Sequence, residues 1–214
     1  WISLGPFQLQ TSEIAKPFLA IFFASLVAKT PPQTLKQILI MTFLFMLPTL
    51  LIFRQPDLGS TLVVTSLWLG IMFMGGMPVK YFLLGLVAAG AAIPSGWHFL
   101  KSYQKARLIT FLNPQADPLK TGYHLMQSII AVGSGMFFGR GLGHGTQSQL
   151  KFLPERHTDF IFAALAEELG FVGATLLITL FSLLLWRILV TASVAPDNFG
   201  KLLFYGVFSL LLFQ

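Results

Sequence analysis

"QILIMTFLFMLPTLLIF", residues 37–53, contains no charged side chain and stands between Lys36 and Arg54. A helix needs about 20 largely apolar residues to cross the hydrocarbon core of a bilayer, and somewhat fewer when flanking side chains reach the interface. This run fits that requirement. Working outward, comparable runs lie at 14–28, 59–77, 80–99, 160–190 and 199–214. With 55% hydrophobic and 10% charged residues over 214 positions, the chain has too little polar surface for an ordinary water-soluble domain. The expected fold is all-α, a polytopic integral membrane protein. The run at 160–190 is longer than the hydrocarbon core is thick, so it is expected to tilt, protrude or break near Gly170 and Gly173.

One long polar stretch, residues 100–157, separates the fourth run from the fifth. Inside it, "HLMQSIIAVGSGMFFG" (124–139) is short and glycine-rich for a span and suits an interfacial or re-entrant element. Lysines and arginines in short loops favour the cytoplasmic side. Lys29, Lys36, Lys80, Arg187 and Lys201 fall in alternate connections, which places those connections in the cytoplasm. The N-terminal segment, the "RQPDLGS" turn (54–60) and the 100–157 loop then share the outer face. No internal repeat or linker divides the chain, so residues 1–214 read as one domain. The sequence starts at Trp1 rather than methionine and stops within the apolar run "LLFYGVFSLLLFQ", as expected of a piece of a longer protein. The absence of cysteine excludes disulfides and thiolate chemistry.

The outer loop holds Lys101, Lys105, Arg107, Lys120, Arg140, Lys151 and Arg156 against Asp117 and Glu155. Such a collar is either a solvated loop over anionic headgroups or a binding site for an anionic, phosphate-bearing ligand. Asp159 stands where the chain turns apolar. It reads equally as a helix N-terminal acid favoured by the macrodipole, with Thr158 as cap, or as a general base at the membrane surface. Glu167 and Glu168 lie two turns deeper in the same run, where ionisable groups are costly and face a polar interior. Glu13 and Lys16 are spaced for an ion pair on one helix face. "GSGMFFGRGLGHG" (133–145) lacks both a preceding strand and a following Gly-Lys-Ser/Thr, so it is expected to serve close backbone packing rather than phosphate binding. His98, His124, His144 and His157 have no metal-ligand spacing, while a hydrated divalent cation held by carboxylates would leave no motif.

Taken together, "QTSEIAK" (10–16), "RQPDLGS" (54–60), "YQKARLITFLNPQADP" (103–118), "GYHLMQS" (122–128) and "GTQSQLKFLPERHTDFIFAALAEELGFVG" (145–173) resemble the SEDS family of membrane glycosyltransferases. This is the family of RodA in elongation and FtsW in division. "GYH", "GTQSQL" and "FLPERHTDFIF" resemble RodA more than FtsW.

The resemblance covers the whole chain and implies about six of the family's roughly ten spanning helices, with 100–157 as a long extracytoplasmic loop. It implies polymerisation of lipid II into glycan strands at the outer face of the bacterial cytoplasmic membrane, with release of undecaprenyl diphosphate. It also implies a class B penicillin-binding protein transpeptidase as partner, no nucleic acid, and no tightly bound cofactor, with magnesium or manganese left open.

Asp159 matches the family's essential aspartate, for which the inferred role is general base. Arg107, Lys101, Lys105, Arg140 and Arg156 are the candidates for binding the diphosphate, with His157, Gln127 and Glu155 beside them. Glu13, Lys16, Asp57, Glu167 and Glu168 would line or brace the cavity. Two departures stand out: Thr11 where the family often has proline, and Met136 where a second glycine is common. A transporter that flips the lipid precursor is the alternative. It would need polar residues at several depths, whereas the charges here concentrate at the outer edge.

Overall fold

The computed structural model describes residues 2–4, 7–55, 57–99, 104–105, 109, 121–145 and 159–214. Seven long helices account for most of them. They are α1 (Thr11–Lys29), α2 (Leu35–Arg54), α3 (Leu58–Met74), α4 (Val79–Phe99), α5 (Thr121–Ser134), α6 (Ile161–Val194) and α7 (Asn198–Phe213). The six apolar runs of the sequence become α1 to α4, α6 and α7. Among the described residues, α1, α2 and α6 are long and apolar enough to cross a membrane by length and composition, and shorter apolar helical stretches are Leu58–Met74, Val79–Ala91 within α4, Leu125–Ser134 within α5 and Asn198–Phe213. α5 is the shortest of the seven: its 14 residues reach roughly 21 Å at about 1.5 Å each, less than a span needs.

A feature the sequence did not announce precedes α1. Strands β1 (Ile2–Leu4) and β2 (Phe7–Leu9) pair antiparallel, with Ile2 opposite Leu9 and Leu4 opposite Phe7. Three residues per strand are too few to establish an alternating pattern, which is why the hairpin left no legible signal.

The chain forms two compact units, Trp1–Ile93 with Leu184–Gln214, and Pro94–Leu183. In the first, α3 is the central element and packs against α1, α2 and α7. Side chains determine where these helices begin. Thr34 and Gln37 form a capping box on α2, in which the Thr34 N–H donates to Gln37 Oε1 at 3.0 Å and the Gln37 N–H donates back to Thr34 Oγ1. Asp57 caps α3 and Asp197 caps α7 through the N–H groups of Ser60 and Gly200.

The buried side chains Phe23, Val27, Phe45, Val64, Leu67, Trp68 and Ile71 form one cluster, in which Phe45 stacks on Trp68 at 4.6 Å. Lipid tails are as apolar as these side chains, so association depends on close fit more than on escape from water. The α3–α7 contact is built that way. Gly70 faces Ser209, Gly206 faces Ile71, and the Ser66 hydroxyl donates across the interface to the Ser209 carbonyl at 3.2 Å. A Cβ on Gly70 would lie 2.7 Å from the Ser209 Cβ, which no rotamer change relieves. Gly70→Ala is therefore expected to force the two helices apart at a cost of about 1–3 kcal/mol. A lowered Tm of the detergent-solubilised full-length protein would register this, and an unchanged Tm would contradict the packing.

Candidate functional site

One end of the first unit holds a connected polar group. Asp57, in the turn between α2 and α3, receives Gln10 Nε2 at 2.8 Å, the Ser12 hydroxyl at 3.4 Å and the Ser60 N–H at 2.9 Å. Lys16, one turn into α1 and almost fully buried, donates to Glu13 Oε1 at 2.6 Å, while Glu13 itself stays about half exposed. The pair expected from its spacing is present, and α1 carries it beside Asp57. Burial pushes the Asp57 carboxyl upward. The Ser60 backbone and hydroxyl, the Ser12 hydroxyl and the Lys16 ammonium together outweigh burial and hold the carboxyl below its ordinary value. Gln10 and Ser12 escaped the sequence reading as members of this group. Their signal was the motif "QTSEIAK" itself, in which only the charged members had been singled out.

In the second unit the decisive feature is the break in α6. Gly170 adopts φ 68° and ψ −162°, so the chain leaves helical geometry there and resumes it at once. In an unbroken helix the N–H groups of Phe171 and Val172 would bond the carbonyls of Glu167 and Glu168. Here the loop after α5 takes over both sides. The N–H groups of Arg140 and Gly141 donate to the Glu167 and Glu168 carbonyls, each at 3.0 Å. The N–H groups of Phe171 and Val172 donate to the carbonyls of Met136 and Phe137 at 2.9 and 3.2 Å. Such a break is tolerated at membrane depth only when every freed group is satisfied, and these four are. The glycine run thus serves backbone packing, and α6 breaks at one of the two glycines expected.

Met136 is the one non-glycine residue with positive φ, 48°, among the described residues. The left-handed region costs an L-residue about 1–2 kcal/mol, partly offset in glycine by its greater chain entropy of about 0.5–1 kcal/mol. Met136→Gly is expected to leave stability equal or up to about 1 kcal/mol higher, and Met136→Ile to lower it by about 1 kcal/mol or more. Thermal unfolding of the two variants beside wild type gives the order.

Asp159 is exposed and lies in a turn two residues ahead of α6. Among the described residues no hydrogen bond or ion pair engages its carboxylate. Glu167 is fully buried and Glu168 half-buried, on the short segment between Asp159 and the break. Gln127 is half-buried on α5, Lys105 is half-buried, and Arg140 is exposed with its Nε donating to the Ser134 carbonyl at 3.2 Å. Gln104, buried beside Lys105 in sequence, is a polar residue the sequence reading did not mark. Lys101, Arg107, Glu155, Arg156 and His157 lie outside the described residues. Among the described residues, no three histidine or carboxylate side chains converge where a metal ion could sit.

Helices of this length and polarity, with a broken helix stitched by a glycine loop, define a polytopic membrane protein. The family profile FTSW_RODA_SPOVE, described as "Cell cycle protein", matches residues 1–214, and the chain belongs to that family. It is 44% identical over 99% of its length to the peptidoglycan glycosyltransferase MrdB of Escherichia coli K12, of which it covers 58%. It is 40% identical over 97% of its length to a probable peptidoglycan glycosyltransferase FtsW of Nitrosococcus halophilus, covering 54% of that protein. Among solved structures, a peptidoglycan synthase complex that coordinates polymerization and crosslinking contains a chain matching at TM-score 0.80 and 32% identity. All of the present chain and 59% of that one are covered. The rod shape determining protein RodA of Thermus thermophilus matches at TM-score 0.63 and 28% identity, over all of this chain and 54% of its own. The chain therefore spans between 54% and 59% of the length of these relatives.

Proposed function

We propose that the full-length protein is a peptidoglycan polymerase of cell elongation, joining lipid II units at the outer face of the cytoplasmic membrane. The observation that carries this reading is Asp159: a carboxylate exposed two residues ahead of α6, in a chain 44% identical to a protein named a peptidoglycan glycosyltransferase. The 4-hydroxyl of the acceptor sugar attacks the anomeric carbon of the undecaprenyl-diphosphate-linked chain. The new C–O bond forms as the bond to phosphate breaks, the electron pair leaves with the diphosphate, and the hydroxyl proton passes to the Asp159 carboxylate. Fixed cations meeting the charge on the leaving diphosphate lower the barrier further. Arg140 and Lys105 are candidates among the described residues, and Lys101, Arg107 and Arg156 join them by resemblance.

A class B penicillin-binding transpeptidase is the proposed partner, supported by the likeness to the synthase complex. The test reconstitutes the full-length protein with that transpeptidase and lipid II in liposomes, with a β-lactam present and with magnesium, manganese or neither. Glycan strands resolved on a gel are the expected result. Transfer of intact lipid II between leaflets without any polymer would replace this reading with the transporter.

A further inference from the structure

We propose that residues 136–141 form a clasp that positions Asp159, acting through the break at Gly170; the inference rests on the general-base reading above. The segment from Ile161 to Leu169 begins two residues after Asp159 and ends at the break. Its last carbonyls are bonded not by the next turn of α6 but by Arg140 and Gly141. Its other anchors come from the same side: Ala131 of α5 packs on Ala163, and Gly135 abuts the backbone of Ala166. The loop is tied to itself by the Gly139 N–H donating to the Gly135 carbonyl at 2.8 Å. The segment that follows Asp159 is therefore registered to α5 and its loop, and the same loop holds the far side of the break through the Phe171 and Val172 N–H groups.

Two observations make this a device rather than an accident of packing. First, a continuous helix is available to the same residues. It would restore the bonds from Phe171 to Glu167 and from Val172 to Glu168 without any help from the loop, so the break is not needed to satisfy the backbone. Second, the close approach leaves room only for glycine. A Cβ on Gly139 would lie 2.5 Å from the Glu168 carbonyl carbon and 2.6 Å from that of Leu169. Both are backbone atoms, with no rotamer to yield. Gly170 needs its positive φ, and a Cβ there would lie 2.7 Å from the Phe137 carbonyl oxygen.

Healing the helix should thus release the clasp without unfolding the protein. In Gly170→Ala of the full-length protein, hydrogen exchange is expected to accelerate at least tenfold at the Arg140 and Gly141 amides. The Phe171 and Val172 amides stay protected, now within the helix. A purely structural lesion would deprotect both sets together. In the lipid II polymerisation assay, Gly170→Ala and Gly139→Ala are expected to lower kcat at least tenfold while KM for lipid II stays within threefold. Gly133→Ala, whose Cβ would meet nothing within 4 Å, serves as control and keeps the wild-type rate. Retained kcat in both clasp variants, or unchanged exchange at Arg140 and Gly141, overturns the positioning role while leaving the polymerase reading intact. A wild-type protein that makes no polymer removes both.

Discussion

Asp159→Asn is expected to slow glycan polymerisation by about 10²–10⁴-fold, the range over which a positioned general base contributes. Asparagine keeps the shape of the side chain and its place ahead of α6, and it cannot take up the hydroxyl proton. The carboxylate is exposed and engages no described residue, so its loss removes no contact with them. Surface substitutions of that kind change stability by no more than about 0.5 kcal/mol. The loss should therefore fall on kcat in a protein whose Tm and yield match wild type. Asp159→Glu extends the carboxylate by one methylene, and misplacement of that order costs about 10²-fold. Initial rates from lipid II, with unfolding curves on the same preparations, check both. A Tm loss that tracks the rate loss would return Asp159 to the role of helix N-terminal acid.

Asp57→Ala is expected to have the largest effect on stability, about 2–4 kcal/mol. It deletes the cap of α3, worth about 0.5–2 kcal/mol, and takes away the acceptor of Gln10 and Ser12 and the charge facing the almost fully buried Lys16. Hydrogen bonds to a charged acceptor contribute about 1.5–3 kcal/mol apiece, and these are not additive within one cluster. Asp57→Asn retains a capping oxygen and loses the charge facing Lys16, so it should cost about half as much or less. The pH dependence follows from the lowered carboxyl. A group whose folded pKa lies below its unfolded value, about 3.9, contributes fully above that value. The contribution is lost as pH falls through the folded pKa. The stability gap between wild type and Asp57→Asn should thus be flat from neutral pH down to about 5 and close below about 4. A gap that closes already between pH 7 and 5 would mean that Asp57 is not held in its charged form by this cluster.

The helices were legible because each is long enough to show its character without its neighbours. Residues 37–53 became most of α2, and the run at 160–190 became α6, extended to Val194. The hairpin at 2–9 was not legible, because its strands are too short to carry a pattern. Within the candidate site, Glu13 and Lys16 could be paired from their spacing alone, since a helix brings residues three apart onto one face. Gln10 and Ser12 meet Asp57 across 45 or more positions, a partnership that local sequence does not encode.

Composition and the placement of charge determined that this protein lives in a membrane, and the quoted motifs determined its family, because both are written residue by residue. The use made of the glycines was decided only by the tertiary structure. "GSGMFFGRGLGHG" by itself points to close backbone packing and does not say what it packs against. It becomes a clasp because Gly170, about 30 residues away, breaks a helix and leaves two carbonyls and two N–H groups in need of partners. Hydrogen-bonding demand is local, but what satisfies it comes from wherever the fold brings the chain.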